Sequence, residues 1–81
     1  MRPMIFIRHA LDRLEQRGIS KELVIDVITS PDEIDQESEK RRIAQKIING
    51  KLIRVIYDDE VDSVVVISAY VTSKLGKYLR K

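Results

Sequence analysis

The chain has 81 residues, a formal net charge of +2, 43% hydrophobic and 35% charged side chains, which is the size and balance of one small domain with a modest core. It contains no cysteine, which excludes disulfides, thiolate chemistry and cysteine-ligated metals. No apolar run approaches the roughly 18 to 20 residues that cross a bilayer, and that of the opening MRPMIFIRH ends at Ile7, short of a secretory signal; the expected location is cytoplasmic, without a membrane partner.

Met4 to Ile7 is long enough for an edge strand or an entry segment that packs on the core. A first helix is expected from about His9 to Gly18, where glycine can take the left-handed conformation that closes a helix. Its apolar side is Ala10, Leu11 and Leu14. His9, Arg13 and Arg17 lie four apart and climb another side as a stripe. Ser20 is a good N-cap for a second helix, with Glu22 in its first turn and Ile19 placed to staple against Val24. Leu23, Val24, Val27 and Ile28 give that helix an apolar stripe, and Pro31 prevents its continuation. Neither helix is stable alone, so both must pack on something.

A sheet is the expected support. Asp32 to Gln36 can form a short edge strand. Asn49-Gly50, with β-branched runs on either side, is the preferred pair for a two-residue type I′ hairpin turn. Ser63 to Val71 is the strongest strand pattern. With Asn49-Gly50 as the turn, Gln45 faces Arg54 and Ala44 faces Val55. A three-residue loop at Asp59 to Val61 would then set Tyr57 opposite Ser63. One face carries Ala44, Ile48, Ile53, Val55, Tyr57, Val65, Ile67, Ala69 and Val71, with Lys46 among them, and should receive the helices. The other mixes Arg41, Gln45, Arg54, Ser68, Tyr70 and Thr72 with Ile43, Ile47, Leu52, Ile56, Val64 and Val66.

Charge is unevenly distributed. Five acids fall between Asp32 and Glu39; Lys40, Arg41, Arg42, Lys46, Lys51 and Arg54 follow without an intervening acid; Lys74, Lys77, Arg80 and Lys81 form a basic tail from about residue 73. Such blocks make either a nucleic-acid footprint or a surface of interleaved ion pairs. His9 alone titrates near neutrality without a perturbed environment, so it can handle protons in RNA cleavage, or simply anchor its helix. Guanidinium forks at Arg13, Arg17 or Arg54 match phosphate oxygens, and Tyr70 offers a hydroxyl or a stacking ring. The acidic Asp58–Asp62 segment lacks the glycine and ligand spacing of a calcium loop, and no metal or other cofactor is expected.

In order, RHALDRLEQRGIS, PDEI, a basic hairpin and VVVISAY resemble a small prokaryotic group of uncharacterised domains, read as His-Ala-x-x-Arg, Arg-Gly-Ile-Ser and a closing Thr-Ala-Tyr strand. The resemblance runs from about Phe6 to Thr72. Arg8 stands where threonine or serine often caps the helix, and Ser68 replaces the closing threonine while keeping a hydroxyl. That group is similar to the RelE- and BrnT-like toxins, metal-independent ribonucleases usually neutralised by an antitoxin. The resemblance implies His9, Arg13, Arg17 and Tyr70 as matching site residues.

The reading is therefore one α+β domain over residues 1–81, with two N-terminal helices on one face of a three- to four-stranded antiparallel sheet of RelE/BrnT-like type. The expected function is RNA binding with metal-independent endoribonuclease activity of toxin–antitoxin type. His9, Arg13 and Tyr70 are the catalytic candidates, and Arg17, Arg54, Ser68 and Lys46 the substrate contacts. The expected partners are RNA, a cognate antitoxin or a second copy. The alternative is a non-catalytic module for protein interaction or self-association, favoured by the apolar residues of the second sheet face.

Overall fold

The structure, a computed structural model, describes residues 2–78. In chain order it runs β1 (Met4–Phe6), α1 (Arg8–Arg17), α2 (Lys21–Thr29), β2 (Glu33–Gln36), β3 (Arg41–Ile48), β4 (Lys51–Asp59), β5 (Val64–Thr72) and α3 (Leu75–Tyr78). The strands form one sheet in the order β1-β5-β4-β3-β2. Over the described residues it is thus a small α+β domain with three helices and a five-stranded mixed sheet.

The local signals translate directly. Gly18 closes α1 in the left-handed region at φ 64°, donating its N–H to the carbonyls of Leu14 and Glu15. Helix α1 starts one residue earlier than expected, at Arg8, so its N-cap is Ile7, whose side chain offers no cap, and position 8 lies inside the helix. Ser20 caps α2 by accepting from the Leu23 N–H at 3.1 Å. At the hairpin, Asn49 and Gly50 both have positive φ, 53° and 77°, as a type I′ turn requires. This turn fixes β3 against β4, with Ala44 opposite Val55 and Gln45 opposite Arg54.

Two expectations are corrected. The sheet has five strands and is mixed, because Met4–Phe6 pairs parallel to Val64–Val66 at the opposite end of the sequence. A three-residue strand carries too little pattern to reveal so distant a partner. The second correction concerns register. The loop spans 60–63, closed by the Glu60 N–H on the Ser63 carbonyl, so Tyr57 faces Val66 instead of Ser63. That odd shift turns Val64 and Val66 inward and Val65 outward. A bulge follows: Tyr57 pairs with Val66 but Ile56 with Ser68, which leaves Ile67 unpaired. Beyond it, Ala69 and Val71 return to the expected face, opposite Val55 and Ile53.

Helices α1 and α2 cover one face of the sheet. Ala10 and Leu14 of α1 and Val24 and Val27 of α2 pack with Ala44, Ile53, Val55, Tyr57, Val64, Val66 and Ala69 in one buried cluster. Ile43, Leu52, Gln45 and Arg54 are also buried, but their register puts them on the opposite face, outside that cluster. Here the third helix, α3, meets the sheet through Tyr78. Thus the expected basic tail includes a single helical turn; Arg80 and Lys81 lie outside the described residues.

Candidate functional site

Strand pairing aligns one polar side chain from each of four strands across the outer face: Glu33, Gln45, Arg54 and Tyr70. Gln45, fully buried, donates from its amide nitrogen to the Glu33 carboxylate at 3.0 Å. Arg54, 8% exposed, donates a hydrogen bond to the Tyr70 hydroxyl. In the next row, the Asp35 carboxylate lies 3.9 Å from the other guanidinium nitrogen. The Tyr78 ring covers the guanidinium at 4.1 Å and meets Tyr70 edge-on, with centroids 6.3 Å apart. A cation between two aromatic rings and a carboxylate is held in place by geometry as well as by charge.

Burial pushes the Tyr70 phenol above its ordinary value, although Arg54 acts in the opposite direction. Tyr70 is therefore a protonated hydroxyl at neutral pH, suited to donate a proton and poorly suited to remove one. The Tyr78 phenol is shifted down, chiefly by its hydrogen bond with Tyr70. Burying a guanidinium in a small domain carries a desolvation penalty that packing alone does not require. Such a cluster is a functional candidate on physical grounds.

The stripe expected to complete this site lies elsewhere. His9, Arg13 and Arg17 belong to α1, whose apolar side packs on the inner face, whereas Arg54 and Tyr70 occupy the outer one. His9 is exposed. Arg13 bonds Gln16 within its helix at 3.1 Å. Arg17 donates to the Ala69 carbonyl at 2.8 Å, beyond the stretch of β5 that β1 pairs. Lys46 projects to the inner face and pairs with Asp26 of α2 at 2.9 Å, tying helix to sheet. Ser68 shares the outer face with Arg54, one row along opposite Ile56. Of the expected residues, only Arg54, Tyr70 and Ser68 therefore share a surface.

The basic block of β3 does not form a continuous positive face. Arg41 pairs with Asp58, Arg42 with Asp59 and Lys40 with Glu60, while Arg2 also reaches Asp59. The Arg41 guanidinium, through its hydrogen bond, holds Asp58 below the usual carboxylate range. This pairing realises the interleaved-charge alternative and answers the basic run with the acids of the next loop. Two open hollows, of about 510 and 340 Å³, lie at the 37–41 turn and beside β1, away from the Arg54 cluster. Tyr78 closes that cluster instead.

Asp35 and Tyr78 were not among the candidates read from the sequence. The alternation of Glu33 and Asp35 in EIDQ did carry a signal, since it sets both acids on one strand face. Tyr78 carried none, because its position depends on how the chain turns after β5. Among the described residues, no group of histidine and carboxylate side chains is arranged to hold a metal.

Residues 6–71 match the family described as Domain of unknown function (DUF4258). The chain belongs to this family. The match runs from the end of β1 through nearly all of β5, and so includes the four-strand polar row, while Tyr78 and α3 lie outside it. No curated protein and no solved structure matches the chain. No helix among the described residues is long and apolar enough to cross a membrane.

Proposed function

We propose that this domain binds single-stranded RNA with the outer face of its sheet and cleaves it there without a metal. The observation that carries the reading is the Arg54 guanidinium, nearly buried between the Tyr70 hydroxyl, the Tyr78 ring and the Asp35 carboxylate. A guanidinium fork matches the oxygens of a phosphodiester and stabilises the charge that grows on them during transfer. The expected relatedness of this uncharacterised group to RelE- and BrnT-like toxins suggests the same reaction class and an antitoxin as protein partner, with Tyr70 the carried-over residue that this face retains.

The chemistry balances with the groups of this face. The Asp35 carboxylate takes the proton of the ribose 2′-hydroxyl as O2′ forms its bond to phosphorus. The P–O5′ bond breaks, and O5′ takes a proton from the Tyr70 phenol. The products are a 2′,3′-cyclic phosphate and a 5′-hydroxyl; Tyr70 and Asp35 then re-exchange their proton through water. Arg54 neutralises the nonbridging oxygens throughout. His9 has no part in this arrangement, so the catalytic set differs from that expected of the α1 stripe.

The test is cleavage of a mixed-sequence RNA in EDTA by the full chain. Wild-type and His9→Ala protein should cleave at similar rates, whereas Arg54→Lys and Tyr70→Phe should each lose about 100-fold, the scale of a lost transition-state donor or general acid. Loss of cleavage in His9→Ala with Arg54→Lys unimpaired would return the site to α1. Intact RNA with every protein would end the nuclease reading. A second reading rests on Ile5 and Ile47, 48% and 41% exposed on the same outer face, which suit a protein partner. Salt-insensitive binding of protein in place of RNA would favour it.

A further inference from the structure

Three features compete for a further role. The apolar hollow beside β1 and the exposed α1 stripe have nothing that identifies an occupant. The third, the contact between α3 and Arg54, does. Tyr78 is the sole aromatic contribution of α3, and its ring lies on the guanidinium at 4.1 Å. A flat ring stacked on a guanidinium is how an unpaired nucleobase is commonly held. The chain thereby fills with its own tyrosine the place a base would take.

Beyond the contacts of Tyr78 with Arg54 and Tyr70, little holds α3 among the described residues. It has four residues, none of them buried. Its backbone bonds among the described residues are local: Leu75 to Ser73, Lys77 to Lys74, and Lys74 to the Thr72 hydroxyl. A single turn has little helical stability of its own, and segments with few buried contacts open at low free energy. Lys74 and Lys77, both exposed, give the segment a charge that an incoming polyanion attracts.

We propose that α3 is an autoinhibitory lid, in which Tyr78 occupies the stacking position on Arg54 until a nucleobase displaces it. This rests on the outer-face RNA reading for its ligand, but the lid can be tested without RNA. With α3 seated, Arg54 is only 8% exposed. A competitor that must be displaced lowers apparent affinity by the fraction of time it is seated. Removing the ring therefore opens the site and tightens binding, although it deletes an aromatic that a stacking platform would need.

Two measurements on the full chain decide the matter. The first is the rate at which phenylglyoxal modifies Arg54, mapped by mass spectrometry, with Arg8, whose side chain is 88% exposed, as internal reference. Tyr78→Ala should speed modification of Arg54 about fivefold over wild type, and Tyr78→Phe, which keeps the ring, should not. Equal rates in wild type and Tyr78→Ala overturn the lid. The second is binding of a labelled single-stranded RNA of mixed sequence. Tyr78→Ala should lower Kd by about three- to tenfold; an unchanged or raised Kd overturns the lid and, if raised, makes Tyr78 part of the binding surface. If Arg54 is unmasked as expected but no variant binds RNA, the lid stands and the RNA reading fails.

Discussion

The two faces of the sheet are built from the same alternating strands but by different rules. The inner face is largely apolar at its centre, where Lys46 reaches out to Asp26 of α2, and Arg42 pairs with Asp59 at its edge. The outer face buries Gln45 and Arg54, the latter under Tyr78 of a short helix, and pairs them with Glu33, Asp35 and Tyr70. Hydrophobic burial explains the first face completely. It does not explain the second, where each buried polar group carries a desolvation penalty that its partners only partly offset. The contrast is between a face held together by hydrocarbon and one that buries Leu52 and Ile43 beside polar groups needing partners.

Truncation of the inner face should have the largest effect. Ile53, 4% exposed in the core cluster, should cost about 3 kcal/mol when changed to alanine, against under about 1 kcal/mol for Ile47→Ala on the outer face, where that side chain is 41% exposed. Urea denaturation with unchanged m-values checks the pair. Similar losses would mean that the outer face is covered as a second core, and the contrast would break.

The Arg54–Asp35 pair sharpens the comparison at intermediate magnitude. Arg54→Met alone should destabilise by roughly 2–3 kcal/mol, since it removes the cation that the Asp35 carboxylate, the Tyr70 hydroxyl and the Tyr78 ring all contact. Arg54→Met/Asp35→Leu should recover most or all of that loss in the same denaturation experiment. A double variant as unstable as the single one would show that the pair is there for folding, which would weaken the functional reading of the outer face.

The smallest effect concerns acid. Asp58 has its folded-state value lowered by Arg41, so the unfolded chain binds its proton first as pH falls. Its contribution is fully present above the ordinary carboxylate range and is lost as pH drops through the lowered folded value. Asp58→Asn should lower stability by under about 1 kcal/mol at neutral pH and by progressively less in strong acid, so that the two proteins converge as pH falls, as thermal melts from neutral to strongly acidic buffers would show.

Much of the scaffold was legible because its signals are local. Gly18, Ser20 and Asn49-Gly50 act through backbone conformations that depend on neighbours in sequence, and each does what its chemistry implies. The β3–β4 register followed from the turn, so Gln45 opposite Arg54 could be read off directly. The β4–β5 register could not, because DDEVD has no residue that dictates its loop length. There a one-residue difference in loop length decided which face Val64, Val65 and Val66 took, and the bulge at Ile67 returned Ala69 and Val71 to the expected one. The outer-face site was half legible: Arg54, Tyr70 and Ser68 were assigned to one face, while their separation from His9 was invisible.

The sequence by itself determined the end of α1, the start of α2, the hairpin, the inner-facing residues of β3 and β4 and the absence of cysteine chemistry, all of which follow from side-chain type and short-range spacing. Only the tertiary structure decided that the basic run around β3 is matched by acids, that β1 joins β5, and that Arg54 lies under Tyr78 with the α1 stripe on the other side. Those outcomes depend on which distant segments pair and which face of a strand turns inward. A shift of one residue reverses that choice without changing the composition of either strand.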